Sequence, residues 1–288
     1  MRIDLHTHSS ASDGTDTPAA LMALAAAAGL DVVGLTDHDT TDGWAAAVAA
    51  LPAGLTLVRG TEFSTKVQLP DRSVSVHLLG YLFDPTDPAI VAEHRRLVQE
   101  RLHRGLAIVD LMVADGIPIS RSQVLEIAAG APVGRPHIGR ALVQIGRVSS
   151  VTEAFDSYLA GRGSYYVPKV DTDLRTAVRL VVAAGGAPVI AHPRGRGEYR
   201  ALTSALIKDL ADIGLAGLEV DHPDHDAAGR AEITELADRF DLVGTGSSDY
   251  HGHNKTLQLG EQLTQEKSLL QLISRTSGVN APIAGPLQ

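Results

Sequence analysis

The chain alternates short apolar runs with longer amphipathic segments. Arg2–His8, Val32–Asp37, Thr56–Glu62, Val74–Tyr81, Pro188–Ala191, Gly217–Val220 and Leu242–Gly246 are apolar or β-branched. Each runs into a polar or glycine-containing turn, which is the pattern of buried strands. Between the first two lies Pro18–Ala28, almost entirely Ala and Leu, with Thr17 as N-cap, Pro18 at the first helical position and Gly29 as stop. Asp173–Ala184 and Leu202–Ile213 read as helices for similar reasons. Strands alternating with helices predict an α/β domain with a mainly parallel sheet covered on both faces, open or closed into a barrel.

That rhythm breaks from about Pro88 to Tyr166. Ile90, Val91, Leu97, Val98, Leu102, Val109 and Met112 recur at roughly helical spacing, and no buried strand is evident. The pattern predicts a helical insertion at 88–166 between two parts of one domain, 1–87 and 167–277, with a loose tail at 278–288.

Composition narrows the chemistry. The 288 residues include twelve histidines and no cysteine. Disulfides, thiolate metal sites and a cysteine nucleophile are therefore excluded. A bound metal falls to imidazole and carboxylate, which suit first-row divalent ions such as Mn, Fe, Co or Zn. The net charge of −9 argues against duplex nucleic acid as a partner. The longest apolar stretch, Leu21–Leu30, falls far short of the ~20 residues that cross a bilayer, and no basic leader precedes an apolar segment. The expectation is a soluble cytoplasmic protein without a membrane partner.

Metal-ligand residue types gather where the predicted strands end. The first strand ends in Asp4-Leu5-His6-Thr7-His8 with Asp13 beyond, and the second in Asp37-His38-Asp39. The third ends in Glu62, the fourth contains His77 and the fifth runs into His192. The sixth ends in Glu219-Val220-Asp221-His222, and the seventh leads to Asp249-Tyr250-His251. Sites on parallel α/β sheets form outside the carboxyl ends of the strands. His6 and His8, two apart, share one strand face, as do Asp249 and His251. One such pair is a weak signal, but seven strand ends together predict a metal site.

The ordered motifs Asp4-Leu5-His6-Thr7-His8-Ser9, Ser12-Asp13-Gly14, Leu35-Thr36-Asp37-His38-Asp39, Gly60-Thr61-Glu62-Phe63, Val76-His77-Leu78-Leu79-Gly80-Tyr81, Ala191-His192-Pro193 and Ser248-Asp249-Tyr250-His251 closely resemble those of the PHP-domain metal-dependent phosphoesterases. The family is named after polymerase and histidinol phosphatase. The resemblance implies a distorted (β/α)7 barrel and a site for two or three divalent ions (Mn, Fe or Zn, with Mn favoured). It implies that His6, His8, Glu62 and Asp249 hold one ion, that Glu62 as a bridge holds a second with His77 and His192, and that Asp13, His38 and His251 hold the third. Asp4 and Asp37 are expected to orient ligating imidazoles from behind.

Other segments resemble the small PHP phosphatases that hydrolyse nucleoside 3′,5′-bisphosphates. They are Gly134-Arg135-Pro136-His137-Ile138-Gly139, Tyr166-Val167-Pro168-Lys169, His192-Pro193-Arg194 and Leu218-Glu219-Val220-Asp221-His222-Pro223-Asp224-His225. Family members often carry Tyr where Asp221 stands. The implied reaction removes the 3′-phosphate of a small phosphorylated nucleotide, such as adenosine 3′,5′-bisphosphate, to give the 5′-monophosphate. Without a cysteine or a suitable Ser/His/Asp signature, a metal-held hydroxide is the expected nucleophile. Arg135 and Arg194 could fork phosphate oxygens, and Lys169 could add a charge. His137, His222 and His225 could donate hydrogen bonds to phosphate. The catalytic candidates are His222, as acid to the leaving oxygen, and Arg194. His94 and His103 are expected on a solvated helix face, and His253 has no role.

Three alternatives stand beside this. Some relatives trim RNA or short oligonucleotides from the 5′ end, and others hydrolyse histidinol phosphate. Amidohydrolases and deaminases also open with His-x-His, but commonly bridge their metals with a Lys, where this chain has Glu62 and His77. A non-catalytic module would have lost ligands, and each expected position here carries a suitable residue.

Overall fold

Alternation along the strands decides which side chains face inward. The computed structural model describes residues 1–161, 163–195 and 201–286. The strands β1 (Ile3–Thr7), β2 (Val32–Leu35), β3 (Thr56–Gln68), β4 (Ser73–Tyr81), β6 (Ala187–Ile190), β7 (Gly217–Asp221) and β8 (Val243–Gly246) stand side by side in that order. Two short strands, β5 (Thr172–Asp173) and β9 (Ile283–Ala284), join β3 off this path. Thr7 pairs in parallel with Tyr250, and the His8 amide donates to the Tyr250 carbonyl at 2.8 Å. The last stave thus returns to the first, and the sheet forms a distorted, nearly closed barrel.

Val58, Leu79, Tyr81 and Val189 build the inner apolar cluster, with Leu269 and Leu272 of α10 (Glu266–Ser274) against them. Steps of two along the same strand faces lead from Val58 to Glu62 and from Leu79 to His77. The apolar core and the polar site are therefore two levels of one inner surface. Outward residues such as Leu57, Leu78, Ile190 and Leu218 pack in the larger core with residues of α1 (Pro18–Ala27), α7 (Leu174–Ala183), α8 (Ser204–Asp212) and α9 (Ala227–Arg239). Thr17, Asp173, Thr203 and Asp226 cap these helices with side-chain oxygens.

The sheet departs from the parallel expectation at β4, which runs antiparallel to both β3 and β6. The link Leu69–Arg72 is a hairpin turn, far shorter than the dozen or so residues a parallel crossover needs. β3 consequently continues past Glu62 to Gln68, so Glu62 and His77 lie within strands rather than at their ends.

Helices α3 (Pro88–Ala114), α4 (Arg121–Ala128), α5 (Arg135–Gln144) and α6 (Val151–Ser157) fill the region between β4 and β5. The start of α3 buries Ile90 and Leu97 in the outer barrel core, whereas Ile108, Val109 and Met112 form a separate core with Val124, Ile138, Leu142 and Leu159. One helix thus belongs to both bodies. His94 is not on a solvated face: its ring lies on Phe63, centroids 4.8 Å apart. His103 is exposed.

The tail is partly ordered. Ile283 and Ala284 pair with Leu57 and Thr56, where β3 precedes its hairpin contacts with β4 at Gly60 and has an edge to offer. Residues 287 and 288 of the expected loose tail lie outside the described residues. No described helix is long and apolar enough to cross a membrane.

A side chain at Gly34 would place its Cβ 2.1 Å from the Leu5 carbonyl oxygen, between β2 and β1. Gly34→Ala is expected to lower stability by about 2–3 kcal/mol in a denaturant titration. A wild-type midpoint would show that β1 and β2 can separate without cost.

Candidate metal centre

Glu62 occupies the middle of the inner polar level. Its Oε2 lies 3.3 Å from His6 Nε2, 3.1 Å from His8 Nε2 and 3.1 Å from His38 Nδ1. Its Oε1 lies 2.7 Å from His77 Nδ1 and 3.2 Å from His192 Nε2. Asp249 Oδ1 closes on the first pair of rings, at 3.5 Å from His6 Nε2 and 3.4 Å from His8 Nε2. Asp13 gathers a further set, with Oδ1 at 3.4 Å from His251 Nε2 and Oδ2 at 3.7 Å from His38 Nε2. All nine residues of the expected ligand set, counted from these contacts, converge on one site.

The donor set fits divalent cations. His6 Nε2 and His8 Nε2 face each other at 3.0 Å, and both face carboxylate oxygens. Atoms bound tetrahedrally at about 2.0–2.2 Å from an ion stand roughly 3.3–3.6 Å apart. His6 Nε2 and His8 Nε2 stand 3.0 to 3.5 Å from each other and from the facing oxygens of Glu62 and Asp249. Among the described residues, three groups of side chains have ligand atoms close enough for one ion each: His6, His8 and Asp249; His38, Glu62 and His77; and His8, Asp13, His38 and His251.

The second layer fixes which ring nitrogen faces inward. His6 Nδ1 donates to Glu219 Oε1 at 3.2 Å, which leaves Nε2 for the centre. Glu219 also accepts the His192 amide at 2.8 Å and the Ser247 hydroxyl. His251 Nδ1 donates to the Asp249 carbonyl at 2.8 Å. Asp37 does not touch an imidazole. It accepts the Ser9 amide and the Ser9 and Ser12 hydroxyls, and Ser12 Oγ lies 3.5 Å from His8 Nδ1. Asp4 accepts the Ser248 and Gly260 amides and so holds the backbone beside Asp249. Glu219 therefore does the direct orienting expected of Asp4 and Asp37. Asp39, His192 and Asp249 all adopt left-handed backbone, with φ of 56°, 31° and 52°. Strain of this kind collects where surrounding contacts over-determine a site.

Burial raises the cost of charge on Glu62, but the rings of His38, His77 and His6 outweigh it and hold its carboxyl well below the usual range. Asp13 is held low in the same way, by His38 and His251 against burial. Burial also disfavours charge on His8, yet hydrogen bonds that its ring donates to Asp249 and Glu62 push the imidazole up to about 9. His251 is pushed down to about 4 by burial and the neighbouring Lys255. Lys255 pairs with Asp249 Oδ2 and borders the cleft above the cluster.

That cleft, about 1200 Å³, separates the barrel mouth from the insertion. Asp13, His38, His77 and His251 lie at its floor, and Arg101, Arg104, Arg135, Lys169, Lys66 and Arg72 stand along its sides. Arg101 is almost wholly buried. It pairs with Asp39 and donates to Ser64 Oγ at 2.9 Å, which anchors α3 to the barrel beside the site. Lys169 pairs with Asp171 at 2.8 Å. Arg135 donates to the Leu159 carbonyl at 3.0 Å and lies over the Phe155 ring.

Four expected substrate contacts are taken up elsewhere. His137 Nδ1 accepts the Gly134 amide at 2.9 Å, and the ring also bonds the Ser12 backbone, so it braces the start of α5 against the barrel loop. Arg194 makes a bidentate pair with Glu232, at 2.9 and 2.7 Å. His225 donates from Nδ1 to the Val220 carbonyl and accepts the Arg194 amide on Nε2, leaving neither nitrogen for phosphate. His222 lies behind the cluster: its Nδ1 accepts the Asp224 amide and its Nε2 faces Asp249 Oδ2 at 3.4 Å. Among the described residues, none of these four borders the cleft. Arg101, Arg104 and Lys255 lie outside every motif singled out in the sequence, and Glu219 stands there among the strand-end ligand types without a role of its own. For Arg101 the sequence carried a signal, a charge on the apolar stripe four residues after Leu97.

A cluster of buried imidazoles and carboxylates at the mouth of an α/β barrel, under an open cationic cleft, defines a metal-dependent hydrolase of phosphorylated compounds. Residues 4–109 match the family model described as PHP domain. A Haemophilus influenzae protein named 5′-3′ exoribonuclease is 34% identical over 93% of this chain and 97% of its own. A phosphoribosyl 1,2-cyclic phosphate 1,2-diphosphodiesterase of Eggerthella lenta is 35% identical over 86% of this chain and 94% of its own. A 3′,5′-nucleoside bisphosphate phosphatase of Chromobacterium violaceum is 34% identical over 86% and 87%. The solved structure of a Bifidobacterium adolescentis chain, which carries a provisional description as a metal-dependent phosphoesterase, superposes with a TM-score of 0.87 at 32% identity, covering 95% of this chain and 96% of the other. The chain belongs to the PHP-domain metal-dependent phosphoesterases.

Because the His8 ring is pushed up to about 9, it carries a proton at pH 7.5 until a cation displaces it. Calorimetric titration of the metal-free protein with Mn at that pH is expected to release protons, with a heat that changes with the buffer's ionisation enthalpy. A buffer-independent heat would mean that the rings are neutral before binding.

Proposed function

We propose that this protein removes the 3′-phosphate of small nucleoside 3′,5′-bisphosphates. The observation that carries the reading is the placing of Arg101, Arg104, Arg135 and Lys169 along the insertion side of the cleft whose floor holds the ligand cluster. A substrate with one phosphate at the floor and another against that wall is complementary to both. The Chromobacterium relative's name supports the same substrate class.

His6, His8, Asp13, His38, Glu62, His77, His192, Asp249 and His251 would hold the divalent ions, which would supply Lewis acidity toward phosphoryl oxygens and lower the pKa of water. The chain's own groups do the rest. Glu219 and the Asp249 carbonyl hold Nδ1 of His6 and His251 on the far side, so that Nε2 of each ring is the atom turned to the floor. Arg135 fixes the substrate's distal end through a guanidinium already aligned by Leu159 and Phe155.

A second reading, release of nucleotides from the 5′ end of short RNA, is favoured by the cleft itself. Its volume exceeds what a mononucleotide fills, and Lys66 and Arg72 extend its charge to the β3–β4 hairpin. Phosphate release from adenosine 3′,5′-bisphosphate, compared with nucleotide release from a 5′-phosphorylated oligonucleotide, separates the two. Mn-loaded protein is expected to favour the bisphosphate, and His8→Ala is expected to lose at least about a hundredfold of that activity. Faster turnover of the oligonucleotide would reverse the assignment.

Burial and the adjacent Arg101 push the Lys169 ammonium down to about 8. It is charged below that pH and neutral above, so kcat/KM for the bisphosphate is expected to fall as pH rises through about 8. Lys169→Arg, whose guanidinium stays charged, is expected to remove that limb. A profile that falls identically in the variant would assign the limb to another group.

A further inference from the structure

Asp13 lacks the support that neighbouring strands give Glu62. It lies in the turn between β1 and α1, where the Ser12 and Gly14 amides close on the Ser9 carbonyl at 3.1 and 3.0 Å. It is also the one carboxylate in the group His8, Asp13, His38 and His251. Its oxygens stand 3.4 Å from His251 Nε2 and 3.7 Å from His38 Nε2. Metal coordination tolerates errors of only about 0.2 Å in ligand distance. A turn that carries a ligand therefore has to be fixed from outside.

Two side chains do this from different parts of the molecule. Asn254 ends the short 3-10 helix Gly252–Asn254, just past His251. It is buried, and its Nδ2 donates to the Asp13 carbonyl at 2.6 Å, across 241 positions of sequence. Flanking bonds join the same two loops. The His253 amide donates to Thr15 Oγ1 and the Tyr250 hydroxyl to Asp16 Oδ2, both at 2.9 Å. The second side chain is His137, in the first turn of α5. Its Nδ1 accepts the Gly134 amide at 2.9 Å, which places the ring proton on Nε2, and the ring also bonds the backbone of Ser12. A Cβ at Gly134 would stand 3.7 Å from the Asp13 Cβ. The insertion thus rests on the turn that presents the ligand.

We propose that Asn254 and His137 are positioning residues that clamp the Asp13 turn from two sides, so that cation binding by Asp13, His38 and His251 and seating of the insertion stabilise each other. Asn254 sets the distance from Asp13 to His251, because it belongs to the loop of the second ligand. His137 passes the same placement on to α5. The coupling is reciprocal: the affinity that a seated insertion lends the cation returns as stability of the seat. It holds whichever phosphate ester the cleft takes.

The test is calorimetric titration of the metal-free protein with Mn, without substrate. Asp13→Asn identifies the binding step that uses this carboxylate. Asn254→Ala and His137→Ala are each expected to weaken that step at least about tenfold and to leave the other steps within about twofold. An Asp13→Asn isotherm equal to that of the wild type would overturn the proposal. So would wild-type affinity in either clamp variant, or an equal weakening of every step. Hydrogen exchange supplies a second measurement that needs neither clamp variant to fold. Mn is expected to slow amide exchange in α5 of the wild type at least about fivefold, and Asp13→Asn to abolish the slowing. Exchange in α5 that ignores Mn, or that slows alike in Asp13→Asn, would reject the coupling.

Discussion

The two oxygens of Glu62 are the point on which the site turns. One faces His6, His8 and His38, the other His77 and His192, and all of these groups but His77 are buried. A buried carboxylate with so many rings around it is tolerable only because the charge is shared, between imidazoles in the metal-free protein and with cations when they bind. The position is possible because Glu62 lies within β3, with a strand on either side. His38 bridges to it from the end of β2, and its neighbour Phe63 pairs with Leu78 beside His77 on β4. A carboxylate at a frayed strand end could not be aimed at two places at once.

The ligand set was readable from residue types because it is local. His6 and His8, or Asp249 and His251, lie two apart, and strand geometry alone brings such pairs to one face. The reversal of β4 was harder to read, although the short link Leu69–Arg72 carried the information. Placing Glu62 at the end of its strand yields the right residue for the wrong geometric reason, because β3 runs on to Gln68. Asp4 and Asp37 are acidic neighbours of ligands in sequence, yet they bind backbone and hydroxyls, while the carboxylate that grips His6 comes from β7, more than two hundred residues away. Such partners are set by the order of strands around the barrel, which periodicity does not encode.

The substrate contacts expected from motifs fared differently from the metal ligands for a physical reason. His137, Arg194 and His225 carry polar groups that are buried in the folded chain, and a buried polar group is claimed by the nearest backbone or countercharge. Metal ligands escape this because many of them face one another and none can satisfy the rest. Arg101 shows the converse. An arginine within the apolar stripe of α3 is costly on its own, and its presence there marks the place where the helix leaves its own core and meets the barrel.

The β3–β4 hairpin has a further consequence, for how this enzyme could change. Glu62 and His77 lie on its two arms, and Ser64 is paired with His77 across the ladder. Because strand side chains alternate, one residue gained or lost between either ligand and the base of its arm would turn that ligand out of the barrel. Beyond Gln68 and Ser73 no such accounting applies, and the tip, near Arg72 at the mouth of the cleft, is free to lengthen or shorten. A single hairpin therefore divides into a part whose length is fixed by coordination and a part whose length is open to selection by the size of what enters.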